Sequence, residues 1–150
     1  MKANIQDAYR AWTDPEWLAR WWGPAGFTNP VCRLDARPGG SIYVEMTDPS
    51  GPVYPMNGTF DILEPPTRLV FRTGALDAQG RQILEGVNEV NFEDLGGGKT
   101  RLRLYVRMTL ALVEAKDHLK GMSIGWNMSL DKLVDHFAPG TSAASAHAKR

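Results

Sequence analysis

Gly96-Gly97-Gly98-Lys99-Thr100 imitates the end of a phosphate-binding loop, but the first glycine of that motif would fall at position 93, which is Glu. A strand-like segment also follows where the motif requires a helix. The stretch therefore reads as a hairpin turn, and nucleotide binding is not supported. His118, His136, His147 and Cys32 have no metal-ligand spacing. His118 points either to solvent or to a cavity mouth, His136 reads as a helix-end residue, and His147 falls in a tail. No serine sits in a nucleophile-elbow pattern. Asp35, Glu45, Asp61 and Glu89 fall on strand-like segments with mostly outward faces, so a catalytic pair of carboxylates is not indicated. No catalytic residue, metal or cofactor is expected. One polar residue remains of interest: Asn88 falls on an otherwise apolar strand face, and burial there would demand a partner from ligand, water or backbone.

The elements that would position Asn88 can be read from periodicity. Residues 119–137 place Leu119, Met122, Trp126, Leu130, Leu133, Val134 and Phe137 three or four apart, on one face of a long helix. Before it come strands. Residues 41–47 alternate, with Ile42, Val44 and Met46 on one face. Residues 56–63 and 68–73 are further strands, and residues 74–85 read as a mobile connection. Residues 87–95 and 100–108 form a hairpin. Leu102, Leu104, Val106 and Met108 share one of its faces with Asn88, Val90 and Phe92, while glutamates stand beside arginines on the other. Near the start, residues 5–12 form a short helix. Asp14 caps a second with Pro15 at its first position, unless Thr13 and Glu16 form a capping box instead.

A single long helix with one apolar stripe, following antiparallel strands, buries that stripe across the concave face of the sheet. Such an arrangement leaves room for a cavity. Its expected walls are Ile42, Val44, Met46, Phe60, Phe71, Val90, Phe92, Leu104, Val106, Met122 and Trp126, with Asn88 orienting a polar group. Met56 and Met108 join Met122 as an adaptable lining. Trp126, Met122 and Leu130 would equally be core residues in any helix-on-sheet protein. Gly121 and Gly125 lie inside the helix, where each costs roughly 1 kcal/mol relative to Ala.

The bulk properties limit the alternatives. A chain of 150 residues, 43% hydrophobic and 23% charged, suits one globular domain, expected over residues 5–138 with a flexible tail at 139–150. The formal net charge is zero and no basic block occurs, which argues against nucleic-acid binding. Cys32 is the single cysteine, so no internal disulfide forms. No apolar run approaches the ~18–20 residues of a membrane span, and the start lacks a signal-peptide core. The cytoplasm is the expected compartment.

The ordered set Ala11-Trp12-Thr13-Asp14-Pro15-Glu16, Trp21-Trp22-Gly23-Pro24, Pro38-Gly39-Gly40, Glu64-Pro65-Pro66, Gly98-Lys99-Thr100 and Gly125-Trp126 to Leu133 resembles the SRPBCC superfamily of START-like, pollen-allergen-like proteins. Within it, the chain resembles the branch named after the activator of heat-shock protein 90 ATPase, C-terminal domain. The resemblance spans roughly residues 5–138. It implies an α+β helix-grip fold: a curved antiparallel sheet around a long C-terminal helix, with two short helices near the N-terminus. It also implies a small hydrophobic ligand of lipid, aromatic or polyketide type. Other members dock on the chaperone or act as cyclases. Family members carry a full strand before the first short helix, whereas only Met1 to Asn4 precede it here. An open sheet edge, and a homodimer through it, are therefore further expectations.

Overall fold

The computed structural model describes residues 1–137, without the side chains of residues 117–124. The expected tail and the last residue of the expected domain lie outside the described residues. So do the side chains of His118, Leu119 and Met122.

Helix α1 (Ile5–Thr13) starts where the Asn4 side chain accepts a hydrogen bond from the Asp7 amide. Asp14 ends α1 and caps α2 (Pro15–Trp21), its Oδ1 accepting from the Glu16 amide at 3.0 Å. Pro15 opens α2, where a missing N–H costs nothing. Of the two cap readings, the structure adopts the Asp14–Pro15 one.

Six strands follow: β1 (Thr28–Leu34), β2 (Ser41–Thr47), β3 (Val53–Glu64), β4 (Arg68–Leu76), β5 (Gln82–Gly96) and β6 (Lys99–Ala111). They form one antiparallel sheet whose spatial order equals the sequence order. A short 3₁₀ turn at Val113–Ala115 leads into α3 (Lys116–His136). The fold is the α+β helix-grip arrangement.

Residues 74–85 are not a loose connection. They complete β4, make a tight turn and begin β5, with Gly74 opposite Glu85 and Ala75 opposite Leu84. Asp77 builds the turn by accepting from the amides of Gln79 and Arg81. Gly74 and Gly86 hide the strand signal, because glycine has low strand propensity and breaks the apolar alternation. Gly58 in β3 serves close approach: a Cβ there would meet the Arg72 carbonyl oxygen at 1.9 Å.

The edge of β6 is partly covered. Met1 and Thr100 exchange backbone hydrogen bonds at 3.0 and 3.1 Å, and Thr100 Oγ1 donates to the Ala3 carbonyl. Past Thr100, no described strand pairs with that edge.

The core lies on the concave face at the end nearest α1 and α2. Val44, Phe60, Leu69, Phe71, Val90 and Phe92 pack there against Trp12 and Trp21. Trp12 contacts Trp21 at 4.6 Å and Phe71 at 5.9 Å between ring centroids. Such tilted ring pairs contribute about 0.5–1.5 kcal/mol beyond their burial. The convex face is polar, with Arg101 paired to Glu93 at 3.1 Å and Arg72 to Asp61 at 2.8 Å. Exposed pairs of this kind are worth about 0–1 kcal/mol each, so the concave face supplies most of the stability.

Candidate functional site

Beyond Phe71 the inner face changes character. Its next inward positions on β4 are Thr73 and Ala75, and on β5 the row runs from Asn88 to Gly86 and Leu84. Large side chains give way to small ones. Across the gap, α3 approaches α2 more broadly than it approaches any strand among the described residues. The space between is a cavity of about 420 Å³.

Met46, Met56, Leu84, Val106 and Met108 supply its apolar sheet wall. Trp126 and Gly125 face it from α3. Trp126 is fixed by stacking on Trp12 at 6.2 Å and by an edge contact with Trp22 at 5.2 Å. Among the described residues, a Cβ on Gly125 would find only Pro24 Cγ within 4 Å, at 4.0 Å, so this helical glycine borders open space on that side.

Residues 23–27 form part of the rim, and polar groups of α3 hold them. The Lys132 ammonium donates to the carbonyls of Trp22, Gly23 and Pro24 at 3.3 Å each, and to that of Phe27 at 3.5 Å. Burial pushes the Lys132 pKa below the usual lysine range, while four carbonyl dipoles favour the charged form. Ser129 Oγ donates to the Gly23 or Gly125 carbonyl, each 3.0 Å away. Asn29 Nδ2 adds bonds to the carbonyls of Ala19 and Trp22. Phe27 meets Tyr54 of β3 at 6.0 Å across the mouth.

Asn88 is a buried polar residue on the sheet wall, being 1% exposed. Its Nδ2 donates to the Phe71 carbonyl at 3.3 Å and to Thr73 Oγ1 at 2.9 Å. No Asp, Glu, His, Lys or Arg lines the cavity among the described residues. Nor do the described residues contain a cluster of three His, Cys, Asp or Glu able to hold a metal. Cys32 lies apart from the cavity, its pKa raised to about 11 by burial and by Asp14.

The twelve wall residues read from the sequence divide. Met46, Asn88, Val106 and Trp126 meet at the cavity. Ile42, Val44, Phe60, Phe71, Val90 and Phe92 belong to the packed core instead, with Leu104 half-buried against it. They share the inner face but lie at its filled end. The Met122 side chain is outside the described residues. Met56 and Met108, read as adaptable lining, stand in the wall. Ala75 and Leu84 are hidden in the sequence because residues 74–85 read as a connection, whereas Thr73 ends the strand expected at 68–73 and Gly86 just precedes the hairpin expected at 87–108; face parity with Phe71 and Asn88 identifies all four as lining. The rim residues Trp22, Pro24 and Phe27 have no periodic signal.

A sequence model of the family described as activator of Hsp90 ATPase homolog 1-like protein, AHSA1, matches residues 2–138. The chain belongs to this family. Among solved structures, the AHSA1 protein of Silicibacter pomeroyi is 27% identical, with 89% of each chain covered and a TM-score of 0.74. A Mycobacterium smegmatis protein is 26% identical over 95% of this chain and 88% of its own, also with a TM-score of 0.74. An Arthrobacter aurescens protein, 24% identical over 100% of this chain and 88% of its own, shares the fold at a TM-score of 0.80. No curated protein matches the chain. Among the described residues, no helix of this AHSA1-family chain is long and apolar enough to cross a membrane.

Proposed function

We propose that the protein binds a small, predominantly apolar molecule in the cavity between the sheet and α3, without catalysing a reaction on it. The observation that carries this reading is the cavity itself: about 420 Å³ with largely apolar walls and a few polar groups at fixed places. Sites of this size and composition hold small molecules by removing their apolar surface from water, at about 25 cal/mol per Å². The family supports a ligand-binding type of domain in general terms. The absence of charged side chains from the described lining argues against a cyclase-type enzyme, which needs acid–base groups.

Trp22 and Trp126 stand in the wall and report on its occupant. Titration with fatty acids, flavonoids and aromatic polyketides is expected to change tryptophan emission for at least one class. Gly125→Leu places a side chain in the open space and is expected to abolish that change while the protein stays folded. No response from any class, or an undiminished response in Gly125→Leu, would sink the reading.

The family description favours a second reading, a protein-interaction module acting on a chaperone ATPase. Co-purification with that chaperone, unaffected by Gly125→Leu, would favour it over the first.

A further inference from the structure

We infer that the occupant is a neutral molecule carrying a hydroxyl group, held at the cavity wall by Asn88 and Thr73 together; this rests on the cavity being a ligand site. The argument begins with the orientation of one buried amide. The Phe71 carbonyl can only accept a hydrogen bond, so the atom of Asn88 at 3.3 Å from it must be the nitrogen. The second amide hydrogen goes to Thr73 Oγ1 at 2.9 Å. Both donors of Asn88 are then committed. Its Oδ1 receives no hydrogen bond from any described residue. Among the described residues, the fully enclosed side-chain polar atoms lacking a partner are Tyr9 Oη, Trp12 Nε1 and Asn29 Oδ1. Asn88 Oδ1 is not among them, and because Asn88 lines the cavity we assign the little surface it keeps to that side.

Thr73 completes the pair. Its oxygen accepts from Asn88, which leaves its own hydrogen to donate, and Thr73 also lines the cavity. One acceptor and one donor therefore sit side by side on the sheet wall, among Met46, Met56, Val106 and Met108. A hydroxyl matches both: it donates to Asn88 Oδ1 and accepts from Thr73. A carboxylate would only accept, and would face the lone pairs of Asn88. Among the described residues, the Lys132 ammonium at the rim is already engaged by four carbonyls. An ammonium would only donate, and no described acid lines the cavity to pair with it. A buried unpaired charge is far costlier than a buried hydroxyl that keeps its hydrogen bonds.

Three probes of one shape test this: 4-hydroxybiphenyl, 4-methoxybiphenyl and biphenyl-4-carboxylate, titrated at neutral pH by tryptophan emission and calorimetry. The phenol is expected to bind about five- to tenfold more tightly than the ether. The carboxylate is expected to bind at least about 100-fold more weakly than the phenol. In Asn88→Leu and in Thr73→Val, the preference for phenol over ether should fall to within about twofold, with the ether's own affinity retained. Thr73→Val keeps the shape of the side chain, so it serves even if Asn88→Leu fails to fold. Equal binding of phenol and ether, tight binding of the carboxylate, or a preference that survives Thr73→Val would overturn the hydroxyl anchor while leaving the apolar site standing. If none of the probes binds the folded protein, the apolar site falls, and the anchor falls with it.

Discussion

The two ends of the concave face are made from the same strands and reach opposite results. At one end Val44, Phe60, Phe71, Val90 and Phe92 meet Trp12 and Trp21 and fill the space between layers. A few residues along, Met46, Met56, Ala75, Gly86 and Asn88 line a void. Backbone geometry does not distinguish them, because β4 and β5 remain paired from Arg68–Asn91 through to Ala75–Leu84. Side-chain volume does. The filled end brings bulky rings from two short helices down onto the sheet. Among the described residues, the hollow end receives only the 22–27 segment and α3, which lean on each other through Lys132 and Ser129.

If that contrast is right, truncation should hurt very differently at the two ends. Phe71→Ala is expected to cost about 3–5 kcal/mol, since it opens a new void in a filled core. Met46→Ala enlarges a void that exists already and should cost about 1 kcal/mol. Equal losses in urea unfolding would break the distinction. A smaller effect is expected at the rim. Lys132→Met keeps the apolar stem but removes the donor that four rim carbonyls share; those of Trp22, Gly23 and Pro24 keep Asn29 Nδ2, Ser129 Oγ and the Phe27 amide, so the cost is about 1–2 kcal/mol. Proteolysis within residues 22–27 should accelerate more than global unfolding does. A uniform loss would mean that Lys132 does not hold the rim in particular.

The smallest expected effect tests whether the surroundings of α3 outside the cavity are distinct from both ends. His136 rests against Trp17 and Phe137, and burial, with the Arg20 charge nearby, lowers its pKa. The folded state thus prefers the neutral ring, and the unfolded state binds the proton first. The associated stability is present above the ordinary histidine value of about 6.5 and is lost as pH falls through the folded value. Because the ring is partly solvated, the change should stay below about 1 kcal/mol. His136→Gln should flatten that portion of the stability profile between pH 5 and 8, and an unchanged profile would reject the assignment.

The filled end was more legible in the sequence than the hollow one. The regular alternation of residues 41–47 and the 87–108 hairpin announced strands and the faces they bury. The helix stripe likewise named Trp126, Leu130 and Leu133, which pack where a stripe should. Periodicity reports which face a residue occupies, though, and not how far along that face the opposite layer reaches. Large apolar residues were therefore read as cavity walls when they fill the core. The residues that leave the void, such as Gly86 and Ala75, look like turn material when seen one at a time. Asn88 stood out because a lone amide in an apolar row is unusual wherever the row leads.

Strand order identical to chain order has a kinetic meaning. Every sheet contact is made between consecutive hairpins, so the sheet can assemble by a series of short loop closures, each with a small entropic penalty. The helix α3 comes after all six strands. Its docking joins Ser129 and Lys132 to residues 22–24, more than one hundred positions earlier, and is expected to be slow, as is the closure of Met1 and Ala3 onto Thr100. In stopped-flow refolding, the sheet's circular dichroism should therefore mature before the Trp126 emission does. During that interval the wall of the future cavity is an open trough, and the ligand proposed for it would settle from the side, without having to pass the finished rim.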